Sequence, residues 1–203
     1  MALEQSVHSI PRLSLSSLTL DIFAERFQKP GTLLIITELL NSEVDCNLNY
    51  LCEQLNSQEF LLRYYGHERY KQDKREWTSI GSGVPPKCIL FREYANLLRT
   101  HEAHEQDIYL AKCPITNTPL AKTQVLQSID EQLKQLGLNQ SASSFNLGIG
   151  PGGHVECLHY DPTDGVLIQL HGTKRVVLFP PSQMANLYPY PIHVHLRHGL
   201  KED

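Results

Sequence analysis

From Ser143 onward the chain is written in short apolar runs cut by glycine and proline, and no other feature narrows the choice of fold as much. The runs are Phe145 to Ile149, Val155 to Tyr160, Val166 to Leu170 and Val176 to Phe179, with Gly150-Pro151-Gly152-Gly153 as the first punctuation. They are too short for helices and too apolar for loops, so they read as strands joined by tight turns. Several such strands at even spacing build a β-sandwich or barrel. With 41% hydrophobic and 20% charged residues over 203 positions, one compact core removing about two thirds of the unfolded surface from water is expected.

Residues 1–142 have a different texture. Ser16 or Ser17 reads as the cap of a helix over Leu18 to Phe27, with Leu20, Phe23, Ala24 and Phe27 on one face and Pro30-Gly31 as the stop. Thr32 to Thr37 reads as a buried strand, Leu48 to Leu55 as a short helix, and Phe60 to Tyr65 as a strand. His67 to Glu76 is polar and charged and reads as a solvated loop. Cys88 to Arg99 carries apolar residues at helical spacing, while Asp107 to Ala111 alternates as a strand does. Gln124 to Leu136 is the clearest helix, with a stripe of Val125, Ile129, Leu133 and Leu136 and Gly137 placed to end it. The organisation expected is an α/β region over 1–142 flanking the first strands of a barrel over 143–203, within a single domain and without internal repeats.

A formal charge of −4 and a pI near 6.2 carry no global bias toward nucleic acid or anionic membranes. Cys46, Cys52, Cys88, Cys113 and Cys157 are odd in number and never spaced as Cys-x-x-Cys, which argues against a disulfide framework and a zinc knuckle. No stretch reaches the roughly 18 apolar residues of a membrane span, and the N-terminus, with Glu4, lacks the apolar core of a signal peptide. The expectation is a cytoplasmic protein with no membrane partner, nuclear entry being left open.

Within the strand-rich part stands His159-Tyr160-Asp161. Residues two apart on a strand point to one face, so an imidazole and a carboxylate there can grip a single metal ion. The alternative is a structural histidine paired with a carboxylate. Lys174 follows near the start of the next apolar run. A lysine facing a barrel interior needs an anion, and a dicarboxylate would supply one; the alternative is a solvent-facing lysine after a turn.

Taken together, His159-Tyr-Asp161, Gln169-x-x-Gly172-x-Lys174-Arg175-Val-Val-Leu-Phe-Pro-Pro181 and Leu187-Tyr-Pro-Tyr-Pro191 resemble the JmjC or cupin-like family of iron(II)- and 2-oxoglutarate-dependent dioxygenases. The branches most similar are the asparaginyl hydroxylase that inhibits hypoxia-inducible factor and the tRNA wybutosine hydroxylase. The resemblance is strong from Phe145 to about His193 and weaker around Asp107-Ile-Tyr109-Leu110 and Ile10-Pro11-Arg12-Leu13. It implies a mainly β fold with flanking helices, a double-stranded β-helix or jelly-roll. It further implies that His159 and Asp161 ligate iron, that Lys174 pairs with the distal carboxylate of 2-oxoglutarate, and that Tyr109 hydrogen-bonds the same carboxylate.

The chain also departs from the family pattern. Glu156 stands where the asparaginyl hydroxylase has a threonine that helps hold 2-oxoglutarate, and Gly165 where both relatives place an asparagine near the metal. The second histidine of the facial triad lies in the family on a late strand, in a pattern like Gly-Asp-x-Leu-x-x-Pro-x-x-Trp-Trp-His, which has no counterpart before Asp203. His193, His195 and His198 follow the Leu-Tyr-Pro-Tyr-Pro segment and read as loop histidines, and His154 and His171 as surface or strand-edge residues.

The expectation is therefore a C-terminally incomplete jelly-roll whose complete form is a hydroxylase. A protein side chain is the first-choice substrate, and a tRNA base or small molecule the alternative. This polypeptide itself is expected to be inactive or weak. Two rivals stay open: a non-catalytic cupin-like protein that binds a ligand or partner, and a zinc or manganese cupin isomerase. A homodimer is left open as well.

Overall fold

A computed structural model of the protein describes residues 10–39, 44–73, 75, 77, 84–138, 145–161 and 165–187. They fall into two compact units, Met1–Val44 with Pro119–Phe145, and Asp45–Thr118 with Asn146–Asp203.

In the first unit, β1 (Arg12–Ser14) and β2 (Ile35–Thr37) pair in parallel, with Leu13 opposite Ile36. Between them, α1 (Leu20–Phe23) widens into a π-helical turn over Ala24–Gln28. Its cap is Thr19, not Ser16 or Ser17: Thr19 Oγ1 accepts from the Ile22 amide at 3.2 Å. The serines are taken up by a 3-10 turn, Leu15–Ser17, so the extended backbone that an N-cap requires comes only at Thr19. The long helix, α5 (Gln124–Gln135), buries Val125, Leu126, Ile129 and Leu133. Gly137 ends it at φ +73°, where the Gly137 and Leu138 amides close back onto the Lys134 and Leu133 carbonyls at 2.9 and 3.0 Å. Leu18, Phe27 and Leu136 form a small core here.

The second unit is built on a four-stranded antiparallel sheet of order β4-β3-β5-β6. Its strands are β3 (Glu59–Tyr64), β4 (Lys87–Leu90), β5 (Ile108–Pro114) and β6 (Asn146–Ile149). Alternation places Phe60 and Leu62 on the buried face of β3, with Leu62 opposite Leu110 of β5. Three helices accompany the sheet, α2 (Leu48–Leu55), α3 (Phe91–Arg99) and α4 (Glu102–Glu105). Asn47 caps α2, its Oδ1 accepting from the Asn49 and Tyr50 amides at 3.0 and 3.1 Å. Leu55, Leu62, Phe91, Tyr94, Ala95, Ile108 and Leu110 are all but sealed from solvent. The Tyr94 hydroxyl lies 3.0 Å from the Ile108 carbonyl and 2.7 Å from that of Ile149, tying α3 to β5 and β6.

Three further expectations are corrected. The segment from Cys88 to Arg99 is not one helix: Lys87–Leu90 pairs with β3 and the helix starts at Phe91, because the β3 edge satisfies the backbone of 87–90. His67–Lys71 is a 3-10 turn rather than a loose loop, and it buries Arg69 to 1% exposure. The runs Val155 to Tyr160, Val166 to Leu170 and Val176 to Phe179 lie outside any helix or strand. Leu158, Leu167, Val177 and Leu178 are exposed there. A strand exists only by pairing, and the described residues give these runs no ladder partner. No helix among the described residues is long and apolar enough to cross a membrane.

Candidate functional site

The two expected metal ligands stand on the irregular segment after β6, and each has its own partner. His159 donates Nδ1–H to the Cys157 carbonyl at 2.7 Å. That bond leaves Nε2 as the nitrogen with a lone pair, the arrangement in which metal-ligating histidines are usually held. Asp161 Oδ1 accepts from Lys112 Nζ at 2.7 Å, both side chains being more than half exposed. Lys112 reaches it from a bulge in β5, where the pairing with β6 shifts between Leu110 and Cys113 and Lys112 takes φ +49°. An imidazole nitrogen and a carboxylate are the donor types of which a facial triad for iron(II) is made. Among the described residues, no group of three or more His, Cys, Asp or Glu side chains is arranged to hold a metal. His193, His195 and His198 lie outside the described residues.

Lys174 and His171 are exposed, His171 Nδ1 lying 2.8 Å from Asp45 Oδ1. Tyr109, half-buried on β5, stacks face to face on His154, with centroids 4.2 Å apart and planes at 11°. Room for that ring comes from two glycines: a Cβ at Gly150 would lie 2.5 Å from Tyr109 Cδ2, and one at Gly148 2.8 Å from its hydroxyl oxygen.

His154 is not a surface residue. Its side chain is 8% exposed, with Nδ1 2.6 Å from Asp107 Oδ1 and the ring stacked against both Tyr109 and Tyr65. Glu156 also turns inward. The Tyr65 hydroxyl donates to Glu156 Oε1 at 2.8 Å, and Arg69 Nη1 lies 3.7 Å from Oε2. Arg69 stacks its guanidinium 3.9 Å from the centre of the Tyr65 ring and donates Nη2–H to the Val155 carbonyl. Two carboxylates, two tyrosines, an imidazole and an arginine thus share one polar cluster, open to solvent at Glu156.

The charges shift one another. Burial alone would lift the Glu156 carboxyl, but His154, the Tyr65 hydroxyl and the Arg69 charge outweigh it and hold it at about 2. Burial alone would lower the His154 imidazole, but the Glu156 and Asp107 carboxylates against its two nitrogens raise it above its ordinary value. Tyr65 and Tyr109 are pushed up, first by burial and then by the Glu156 charge. Glu156 is therefore an anion, His154 is biased toward imidazolium, and the cluster is a set of fixed, opposed charges.

Sequence reasoning missed Tyr65, Arg69, Asp107 and His154. The one local signal for them is Gly150-Pro-Gly-Gly153, where Gly153 at φ +83° turns the chain immediately before His154. Nothing local marks Arg69, since its carboxylate partner lies in a distant segment.

Comparison with known proteins bears on the same segment. Residues 86–200 match the family model of the Cupin-like domain. Lysine-specific demethylase JMJ31 of Arabidopsis thaliana is 34% identical over 115 residues, 56% of this chain and 20% of that protein. Lysine-specific demethylase JMJ30 of the same plant is 24% identical over 183 residues, 86% of this chain and 39% of that protein. Jumonji C domain-containing protein 5 of Drosophila melanogaster is 45% identical over 42 residues, 21% of this chain and 10% of that protein. The chain spans well under two thirds of each of these relatives. No solved structure matches it. The finer likeness to the asparaginyl and wybutosine hydroxylases finds no confirmation among these relatives. The matched stretch runs from the start of β4 through His159, Asp161 and Lys174, and the chain belongs to the cupin-like (JmjC) domain family of iron- and 2-oxoglutarate-type oxygenases.

Proposed function

We propose that the chain carries the iron(II)- and 2-oxoglutarate-binding part of a dioxygenase that hydroxylates a C–H bond of a protein side chain. The observation that carries this reading is His159: its Nδ1–H is committed to the Cys157 carbonyl, and Nε2 is left to ligate, two residues before Asp161. The names of JMJ31 and JMJ30 point the substrate toward lysine side chains, the target that those two relatives' names state. When bound, iron(II) and 2-oxoglutarate supply oxidative decarboxylation coupled to C–H oxidation.

The chain's own residues have positional tasks. His159 Nε2 and Asp161 would hold the metal, and the ion pair with Lys112 orients Asp161 until it does. Lys174 would pair with the distal carboxylate of the cosubstrate, and Tyr109 would donate to the same group. The rigid stack on His154 limits the Tyr109 ring to small movements.

One observation favours the second reading, a cupin-like protein that binds a ligand or partner without turnover. The Glu156 carboxylate acts on Tyr109 and would repel an anionic cosubstrate there. The test is binding of 2-oxoglutarate in the presence of iron(II), followed by calorimetry, together with decarboxylation assayed with added ascorbate. The dioxygenase reading expects binding that falls at least about tenfold, equal to 1.4 kcal/mol, on Lys174→Ala or Asp161→Ala with the fold intact. No binding by the folded wild-type chain overturns it in favour of the non-catalytic reading.

A further inference from the structure

The hydrogen bonding between β3 and β5 runs on past the strands themselves. The Tyr65 amide donates to the Asp107 carbonyl and the Gly66 amide to the Gln106 carbonyl, both at 3.1 Å. These two bonds clamp the chain leaving β3 to the chain entering β5. His67 follows Gly66 as the first residue of the 3-10 turn, and His104 stands in α4 just before Gln106. The clamp therefore sets two imidazoles side by side, with ring centroids 6.0 Å apart and planes at 58°.

Both residues are exposed, and neither ring has a hydrogen-bond or ion-pair partner among the described residues. In either neutral tautomer one nitrogen of each ring keeps a lone pair. That lone pair lies in the ring plane, so planes that intersect can aim two of them at one point. Stacked rings, such as Tyr109 and His154, cannot. With metal–nitrogen bonds of about 2.1 Å, two imidazoles on one tetrahedral ion have centroids roughly 5–5.5 Å apart. Rotation of two solvent-facing side chains covers the difference from 6.0 Å.

We propose that His67 and His104 form a two-imidazole site for a divalent transition-metal ion of the zinc class, which staples the 3-10 turn to α4. Imidazole suits Zn²⁺, Cu²⁺ and Ni²⁺, whereas Mg²⁺ and Ca²⁺ take oxygen ligands. Among the described residues no third His, Cys, Asp or Glu joins the pair, so the remaining positions on the ion fall to water. The staple ties together the two elements that supply the polar cluster: the turn carries Arg69 to Glu156, and α4 leads into Asp107, the partner of His154. The site shares no residue with His159 and Asp161, so it stands or falls independently of them.

The probe is Zn²⁺, titrated into the full chain at constant pH and ionic strength, with Mg²⁺ as the control. Because the chain has ten histidines, the readout is the NMR shift of the His67 and His104 imidazoles individually, with the thermal midpoint beside it. The two rings are expected to shift on one common saturation curve. His67→Gln should raise the zinc needed to half-shift His104 at least about tenfold, equal to 1.4 kcal/mol, and His104→Gln should do the same to His67. Zinc should also raise the midpoint more in wild type than in either variant. The proposal is overturned if either ring keeps its affinity when the other is replaced, if Mg²⁺ shifts the rings as Zn²⁺ does, or if neither ring shifts at saturating zinc. An equal rise of the midpoint in wild type and both variants places the stabilising zinc at other histidines and overturns the staple. Should one variant fail to fold, the wild-type curves and the other variant decide by the same criteria.

Discussion

Asp107 adopts a left-handed backbone, φ +47°, at a position only 5% exposed. Such a conformation costs a non-glycine residue about 1 kcal/mol, and it persists where the surroundings over-determine it. Here the surroundings are the Tyr65 amide on the Asp107 carbonyl at 3.1 Å and His154 Nδ1 on its carboxylate. Asp107→Ala removes one partner of a buried pair and is expected to cost about 3 kcal/mol, whereas Asp107→Asn keeps a hydrogen-bonding atom and should cost less. Equal denaturation midpoints for the two variants would count against this. The same pair makes stability depend on pH. His154 is raised in the folded chain, so its contribution is complete below its ordinary 6.5 and is lost as pH climbs through the raised value. Glu156 is depressed to about 2, so its contribution is complete above its ordinary 4.5 and disappears as pH falls toward 2. Both are intact between 4.5 and 6.5, the window in which this cluster stabilises most. His154→Gln should flatten the decline above 6.5, and parallel melting-versus-pH curves for variant and wild type would refute that.

Among the elements, β5 and β6 carry the closest fit, since Tyr109 lies over Gly148 and Gly150. A methyl at Gly150 meets the ring itself, which the stack on His154 prevents from swinging away; at Gly148 it meets the hydroxyl end. Gly150→Ala is expected to destabilise by about 2 kcal/mol through overpacking, and more than Gly148→Ala. In thermal melts, Tyr109→Ala should relieve the Gly150→Ala cost, and strictly additive effects would rule the contact out. Elements of this kind were readable beforehand to differing degrees. Leu48 to Leu55 and Gln124 to Leu136 announce themselves, because a helix that buries one stripe repeats its apolar residues along the chain. The 3-10 turn at His67–Lys71 does not: its polar letters describe a solvated loop equally well, until a carboxylate from the Glu156 segment accounts for Arg69.

At the scale of the molecule, apolar runs read as strands stand exposed over 166–179, while β3 and β5 are paired on both sides. Hydrogen exchange should divide accordingly. Amides of Val166 to Leu170 and Val176 to Phe179 in this chain should exchange at nearly unprotected rates, and those of Leu62 and Leu110 should be the slowest. Comparable protection in both regions would show that the exposed runs are covered in solution. The sequence by itself determined the family, through motif residues within one stretch of chain, and the elements whose apolar period is local. Those elements rest on residues a few positions apart, where chain geometry alone sets which side chains share a face. Only the tertiary structure decided that Glu156 turns inward, that His154 is buried, and that Tyr109 stacks on it. Those facts depend on partners 91 positions apart for Tyr65 and Glu156, and 47 for His154 and Asp107. A buried charge is placed by whichever opposite charge the fold brings to it, and no periodicity along the chain records that choice.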